Sequence, residues 1–409
     1  MSPTPALEGL KVLDLSWVVA GPLVGRALAD HGATVVRVES SVRIETARLM
    51  PPFVGGVAGV GSSVLYETCN AGKLGVTLDL SRPAGRDVVR DLAAWADVVV
   101  ESFSPGLMSR WGLDHAALSA GHPELIMLST SLMGQTGPLS RLAGFGNIGA
   151  AMSGYQHLVG WPHRLPVGPF GPYTDFLGPR CSLVALLAAL DERERTGLGC
   201  HIDVSQAEAG VYFLGPEMVQ HALSGEVPGR RGNDDPLMAP HGVYRCRPAD
   251  DPARGDHVAV AVRDDRDWQV LAEVLGPVAA QDPRWRTAAG RRASRDEVDA
   301  LLAGWTSGRT ALEVEQVLQA RGVPAHVAAT SADAVADPAL TGRGHFVEVA
   351  HPVHGSVVVE GSRFLLSESP AQVTRPAPVL GEHNGLVLGE VLGYSQELVA
   401  QLERDGLLV

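Results

Sequence analysis

Short apolar runs alternate with amphipathic stretches through the first 130 residues. Val12-Leu13-Asp14-Leu15 predicts a short buried strand, Leu23 to Asp30 a helix entered through Gly21-Pro22, and Ala33 to Glu39 a second, β-branched strand. The alternation continues with a helix over Gly85 to Ala96 and strands over Asp97 to Phe103 and Leu125 to Leu132. Strands and helices that take turns in this way form a parallel sheet covered on both faces, so the pattern predicts an open, doubly wound α/β fold.

From Phe176 to Arg195 the apolar positions Leu183, Val184, Leu186, Leu187 and Leu190 surround much of the helix, which predicts a helix buried inside the domain. A second long helix is expected over about Ser205 to Leu223. After the polar stretch Gly225 to Asp235 the texture changes to a hairpin-like pair, His241 to Cys246 and His257 to Val262. Helices with their own start signals follow, for Ser294-x-x-Glu297 and Thr310-x-x-Glu313 both read as capping boxes. The tail returns to strands at Val347 to Ala350 and Ser356 to Val359 and ends in a helix near Gln396 to Arg404. The domain reading is therefore 1–225 for the large domain, 226–330 for a smaller α+β domain, and 331–409 for a return segment that completes the large one.

The 409 residues are enough for two or three domains without disulfide or metal support. Hydrophobic residues are 45% and charged residues 19%, which excludes a disordered or fibrous chain. The longest apolar stretch, Leu183 to Leu190, is far shorter than a bilayer span of about 20 residues, and Met1 to Leu10 lacks a leader pattern. A soluble, cytoplasmic protein is expected, with no membrane partner. A net charge of -13 argues against nucleic-acid binding and requires any anionic ligand to find a local basic patch. Only Lys11 and Lys73 are lysines, so Lys73 stands out among the arginines. Cys69, Cys181, Cys200 and Cys246 are scattered and the histidines lack ligand spacing, which predicts buried thiols and no metal site.

Gly144-Phe-Gly146-Asn-Ile-Gly149 matches G-x-G-x-x-G, but a turn-like segment precedes it where a dinucleotide site needs a strand. No nucleotide P-loop, H-E-x-x-H or G-x-S-x-G is found. Asp175 lies between Gly171 and Gly178, just before the buried helix. On spacing alone it reads as a helix N-cap. The same setting suits a nucleophile, because the helix start and its amides hold a carboxylate ionised and small neighbours let an acyl group approach.

Eight blocks carry a resemblance. Leu7-Glu-Gly-Leu-Lys-Val-Leu-Asp-Leu, Ala20-Gly-Pro22, Leu28 to Glu39, Asn70-Ala-Gly-Lys73, Glu101-Ser-Phe-Ser-Pro-Gly106, Gly134-Gln-Thr-Gly-Pro138, Thr196-Gly-Leu-Gly199 and Gly381-Glu-His-Asn384 run in order over nearly the whole chain. Together they resemble the family III CoA-transferases of CaiB/BaiF type, whose relatives include the α-methylacyl-CoA racemases. The resemblance implies a Rossmann-like large domain, an interlocked dimer, either homodimer or paralogous heteromer, and Asp175 as a nucleophile that forms anhydride and aspartyl-CoA thioester intermediates. Coenzyme A and acyl-CoA would be substrates rather than tightly bound cofactors, with a carboxylic acid as acceptor and succinyl-CoA as a donor.

By the same resemblance Val18 and Val19 lie near the thioester, with their backbone amides and that of Ala20 as oxyanion donors, while Lys73, Phe103 and Arg110 line the CoA channel. Arg37, Arg43 and Arg48 are either phosphate ligands or a solvated face. Trp161, His163, Phe170 and Tyr173 would make a pocket tolerant of aryl or branched acids, or else pack beneath the loop. The chain departs from the formyl-CoA transferases at Val19 and from the racemases at Phe145 and Gly146, where a shuttling histidine and an acidic residue are expected. Two other readings are a racemase or epimerase using Asp175 as one base, and a non-catalytic acyl-CoA-binding subunit.

Overall fold

The computed structural model describes residues 4–409. They form two compact units: one takes the chain up to Tyr155, Gly168–Val227 and His345–Val409, the other Gln156–Val167 and Pro228–Gly344. In the first, β1 (Lys11–Asp14), β2 (Thr34–Glu39), β3 (Leu74–Thr77), β4 (Val98–Glu101), β5 (Ile126–Ser131) and β6 (His201–Ser205) form one sheet in the order β3-β2-β1-β4-β5-β6. Every pairing is parallel. This is the doubly wound order, and it reverses between β1 and β4. The helices up to the crossing into the second unit are α1 (Ala20–Asp30), α2 (Val64–Asn70), α3 (Pro83–Trp95), α4 (Leu107–Trp111), α5 (His115–Ser119), α6 (Gly146–Ser153) and α7 (Tyr155–Leu158). Back in the first unit come α8 (Tyr173–Thr196), α9 (Gln206–Phe213) and α10 (Gly215–Ser224).

Successive residues of a strand point to opposite faces, and here both faces are core. Leu13 packs with Val36, Val76, Leu92 and Val99 on one side; its neighbour Val12 packs with Val24, Leu28, Val35, Val100 and Leu186 on the other. That two-sided burial is why the strands read as apolar runs.

Several elements differ from the sequence reading, β6 among them, which it does not contain. The helix expected over Ser205 to Leu223 is two helices meeting at Leu214, because Pro216 has no amide hydrogen to continue the first ladder. The edge strand β3 is only four residues long, too short to show a period. Its exposed edge is covered by the Gly381–Asn384 block, where the Gly75 amide donates to His383 Nδ1 at 3.1 Å and the Thr77 amide to Asn384 Oδ1 at 2.8 Å. Finally, α8 starts at Tyr173 with Pro172 at the cap position, which makes Asp175 the third helical residue and not the N-cap.

The second unit carries an antiparallel sheet of β7 (His241–Arg245), β8 (His257–Ala261) and β9 (Ala325–Val327) over a core that includes Trp268, Trp285, Val298, Val314 and Leu318. Thr310 and Glu313 close a reciprocal capping box, whereas the Ser294 side chain makes no cap bond. This unit ends at Gly344 rather than 330, and it includes 156–167, which Arg230 ties in through bonds to the carbonyls of His157 and Trp161. Beyond it, β10 (Phe346–His351) and β11 (Gly355–Glu360) form a hairpin in the first unit. Among the described residues no helix is long and apolar enough to cross a membrane. All four cysteines are free, and Cys200 is exposed rather than buried.

Candidate active site

A cavity of about 480 Å³ lies outside the C-terminal ends of β1, β4 and β5, at the point where the strand order reverses. Its wall is built from the β1–α1 turn, the segment after β4, the end of β5, the loop leading into α6, Asp175 and Gln206. All of these belong to the first unit.

Asp175 is 4% exposed. Burial pushes its carboxyl up to about 6, against the opposing pull of hydrogen bonds from the Gly146 amide and the Gln206 side chain. It therefore stays ionised at neutral pH yet is more basic than an ordinary aspartate, which favours nucleophilic attack. The Gly146 bond depends on the absence of a side chain. A Cβ on Gly146 would lie 2.6 Å from the Asp175 amide nitrogen and from the Pro172 carbonyl oxygen, and one on Gly149 would meet Thr174 Oγ1 at 2.3 Å. The glycines of the G-x-G-x-x-G motif thus serve the close approach of α6 to α8, and Thr174 Oγ1 seals it by donating to the Gly146 carbonyl at 3.0 Å. A larger side chain at 146 cannot fit this packing.

Opposite Asp175 the β1–α1 turn is strained. Val18, a β-branched residue, has φ 68°, the left-handed region, at a cost of about 1–3 kcal/mol. Two bonds hold it there. The Val18 amide donates to Glu45 Oε1 at 2.7 Å, and the Trp17 amide donates to Ser102 Oγ at 2.8 Å. The turn leads into α1, so the amides of Val19 and Ala20 are free of helix partners and present a positive end to the cavity.

Beneath the turn lies a buried ion network. Lys73 is wholly buried and donates to Asp14 Oδ2 at 2.7 Å, the Pro22 carbonyl at 2.8 Å and Asn70 Oδ1 at 2.8 Å. Burial pulls its ammonium down to about 8. Burial opposes the Asp14 charge as well, but Lys73 and Arg37 hold that carboxyl below the usual carboxylate range. Arg37 donates to the Ser16 carbonyl at 2.8 Å and lies 3.2 Å from Glu45 Oε2, an ion pair without hydrogen-bond alignment. Arg48 grips Glu39 through two nitrogens and covers the Tyr66 ring at 3.6 Å.

The structure therefore brings Asp175, Val18, Val19 and Phe103 to one cavity. Phe103 sits edge-on to Trp111 with ring centroids 5.5 Å apart. Lys73 is not on this wall: its three protons are taken inside the network. Arg110 is exposed on α4, beside Gly106 and outside the cavity wall. Of the three uncertain arginines, Arg37 and Arg48 are buried in ion pairs, and only Arg43 is exposed, stacked 5.3 Å from the Trp17 ring. Trp161 and His163 belong to the second unit, Phe170 is fully exposed, and Tyr173 packs edge-on against Tyr155. Sequence reasoning missed Gln206, Gly146 and Glu45. Gln206 follows β6, a strand that the sequence reading does not contain, and sites gather at such strand ends.

Comparison with known proteins agrees with this geometry. The CoA-transferase family III model matches residues 7–384. Over 402 residues the chain is 32% identical to the succinyl-CoA–D-citramalate CoA-transferase of Chloroflexus aurantiacus, covering 98% of each. It is also 32% identical to the succinate–glutarate CoA-transferase of Agrobacterium fabrum, over 95% of this chain and 96% of that one. A CaiB/BaiF family protein from Brucella suis superimposes with a TM-score of 0.86 at 32% identity, covering 95% of this chain and 100% of the other. The chain belongs to CoA-transferase family III.

Proposed function

We propose that this CoA-transferase exchanges CoA between two carboxylic acids through covalent intermediates on Asp175, with succinyl-CoA as a donor. One observation carries the reading: Asp175 is the sole carboxylate lining the cavity, and Arg141 is the only other ionisable side chain there among the described residues. CoA exchange needs no more. Asp175 attacks the thioester carbonyl and the CoA thiolate leaves, giving a mixed anhydride; the thiolate then attacks the aspartyl carbonyl and releases the donor acid. The acceptor carboxylate attacks the aspartyl-CoA thioester, and the returning thiolate takes the acceptor acyl group and frees Asp175. In every step one anion attacks and another departs, so no proton is moved and no general base is required. Racemisation, by contrast, requires acid/base groups on two sides of a carbon, and Phe145 occupies the second position.

Each step builds charge on a carbonyl oxygen, and the reading gives the Val19 and Ala20 amides at the α1 start the task of stabilising it, supported by their place on the cavity wall. The choice of donor is supported by relatives named as succinyl-CoA transferases. The dimer implied by the resemblance is part of this reading and is supported by exposed apolar side chains at Tyr212, Phe213, Val219 and Leu223. Relatives named as alpha and beta subunits of a malate CoA-transferase support a heteromer as its variant.

The test is mass spectrometry of CoA esters formed from succinyl-CoA and a panel of carboxylic acids in heavy water. A new acyl-CoA without α-deuterium is expected, and Asp175→Ala should reduce its formation by roughly 10³-fold or more. Transfer at the parental rate by Asp175→Ala would overturn the assignment of the nucleophile.

A further inference from the structure

The exchange leaves a second buried carboxylate without a task. Glu101, the last residue of β4, is 2% exposed and lies behind the cavity wall rather than on it. No cation pairs with it among the described residues. Its carboxylate accepts from the Phe103 amide at 2.7 Å and from the hydroxyl of Ser129, its register neighbour on β5. A hydroxyl has one proton to give, so in the 2.9 Å bond between Ser129 Oγ and His201 Nε2 the imidazole donates. The charged and titratable groups facing this row are Asp203, next in register on β6, and, around the imidazole, His115 and Asp114. Burial pushes the Glu101 carboxyl up to about 7 against the pull of the Ser129 hydroxyl and the Phe103 amide, so its charge changes near neutral pH.

What Glu101 holds is the wall itself. Ser102, Phe103, Ser104 and Pro105 all line the cavity. Ser102 Oγ takes the Trp17 amide of the strained turn, and the Phe103 ring lies 6.3 Å from the Trp17 ring, so the same segment braces the side that carries the turn amides. As an anion Glu101 accepts from the amide and the hydroxyl at once. Once protonated it must donate, the amide bond loses its charge assistance, and Phe103 loses its tether. We propose that Glu101 is a positioning residue for CoA binding, whose charge fixes the Ser102–Pro105 wall around Phe103. The inference rests on the transferase reading, in which this cavity takes CoA. By linkage, a ligand that prefers the charged form binds more tightly as pH rises through the titration.

The experiment measures the dissociation constant of CoA by calorimetry on the full chain carrying Asp175→Ala, which removes the other titrating carboxylate of the site. Affinity should rise about 5-fold between about pH 6 and about pH 8.5. Glu101→Gln, a neutral mimic of the protonated form, should abolish the rise and bind throughout about as weakly as its parent does at about pH 6. Ser129→Ala should keep the rise but move its midpoint to higher pH, because a bond to the charged form is lost. Ionisation of the CoA phosphates is common to all three proteins and cancels in the comparison. A rise of full size in Glu101→Gln would overturn the role. An unmoved midpoint in Ser129→Ala would do the same, and that variant carries the test if Glu101→Gln does not fold. Failure of the transferase reading shows separately, as no CoA exchange by the protein with Asp175 intact.

Discussion

The two walls that face each other across the cavity are held by opposite means. On the Asp175 side, α6 and α8 touch through Gly146 and Gly149, and the carboxylate is bonded by a backbone amide that only a missing side chain brings into range. On the opposite side the β1–α1 turn rests on charges: Lys73 and Arg37 on Asp14, and Glu45 on the strained amide of Val18. The glycine wall gains precision from close packing, which is cheap but leaves no room for variation. The charged wall keeps a left-handed valine in place, and it does so with ions that burial makes costly unless each is answered.

Each wall can be broken separately. The largest effect is expected at Lys73. Removing its ammonium with Lys73→Ala leaves the buried Asp14 charge to Arg37 alone, 3.4 Å away, and should destabilise the protein by about 3–5 kcal/mol in denaturant unfolding. A Lys73→Ala protein of parental stability that binds CoA poorly would instead return Lys73 to the CoA channel.

The glycine wall is probed by pH. The folded-state pKa of Asp175, about 6, lies above its ordinary 3.8, so the folded protein holds that proton more tightly than the unfolded chain. The resulting stabilisation is complete below about pH 4 and is lost as pH rises through about 6, a difference of about 3 kcal/mol. Asp175→Asn should therefore melt higher than the parent at about pH 8 and together with it at about pH 4. A constant gap across that range would remove the buried-carboxylate account. Transfer itself needs the ionised form and should fall as pH drops below about 6.

The smallest effect falls on Glu45, which touches no substrate and acts through the turn. Glu45→Ala frees the Val18 amide and should lower kcat by about 10-fold with KM little changed, while Glu45→Gln, which keeps an acceptor for that amide, should restore most of the loss. Equal kcat in Glu45→Ala and the parent would show that the turn needs no such support.

Much of this architecture was legible in the chain. The strands of the parallel sheet advertise themselves because both faces are buried, so Val12-Leu13 and Val98-Val99-Val100 need no partner to be recognised. Asp175 stood out by the glycines and the blocks around it, but its place did not, for it is the third residue of α8 and not the residue before the helix. The glycine motif was visible, but its meaning was not. A nucleotide loop and a helix contact ask for the same residue, and only the proximity of α8 separates them. Lys73 was equally ambiguous: one of two lysines in a chain of arginines signals a special environment without saying whether it is a ligand or a buried ion.

By itself, then, the sequence determined the alternation of elements, which follows from local periodicity, and the family, which follows from its ordered motif blocks. Tertiary structure alone decided which charges face the cavity. Arg37, Arg48 and Lys73 turn inward, Arg43, Arg110 and Arg141 do not, and residue type is silent on that choice. Whether a cation binds a ligand or another residue depends on which carboxylates the fold brings within about 4 Å of it: here Asp14 reaches Arg37 and Lys73 from 23 and 59 residues away, while Glu39 and Glu45 are near in the chain to the arginines they answer.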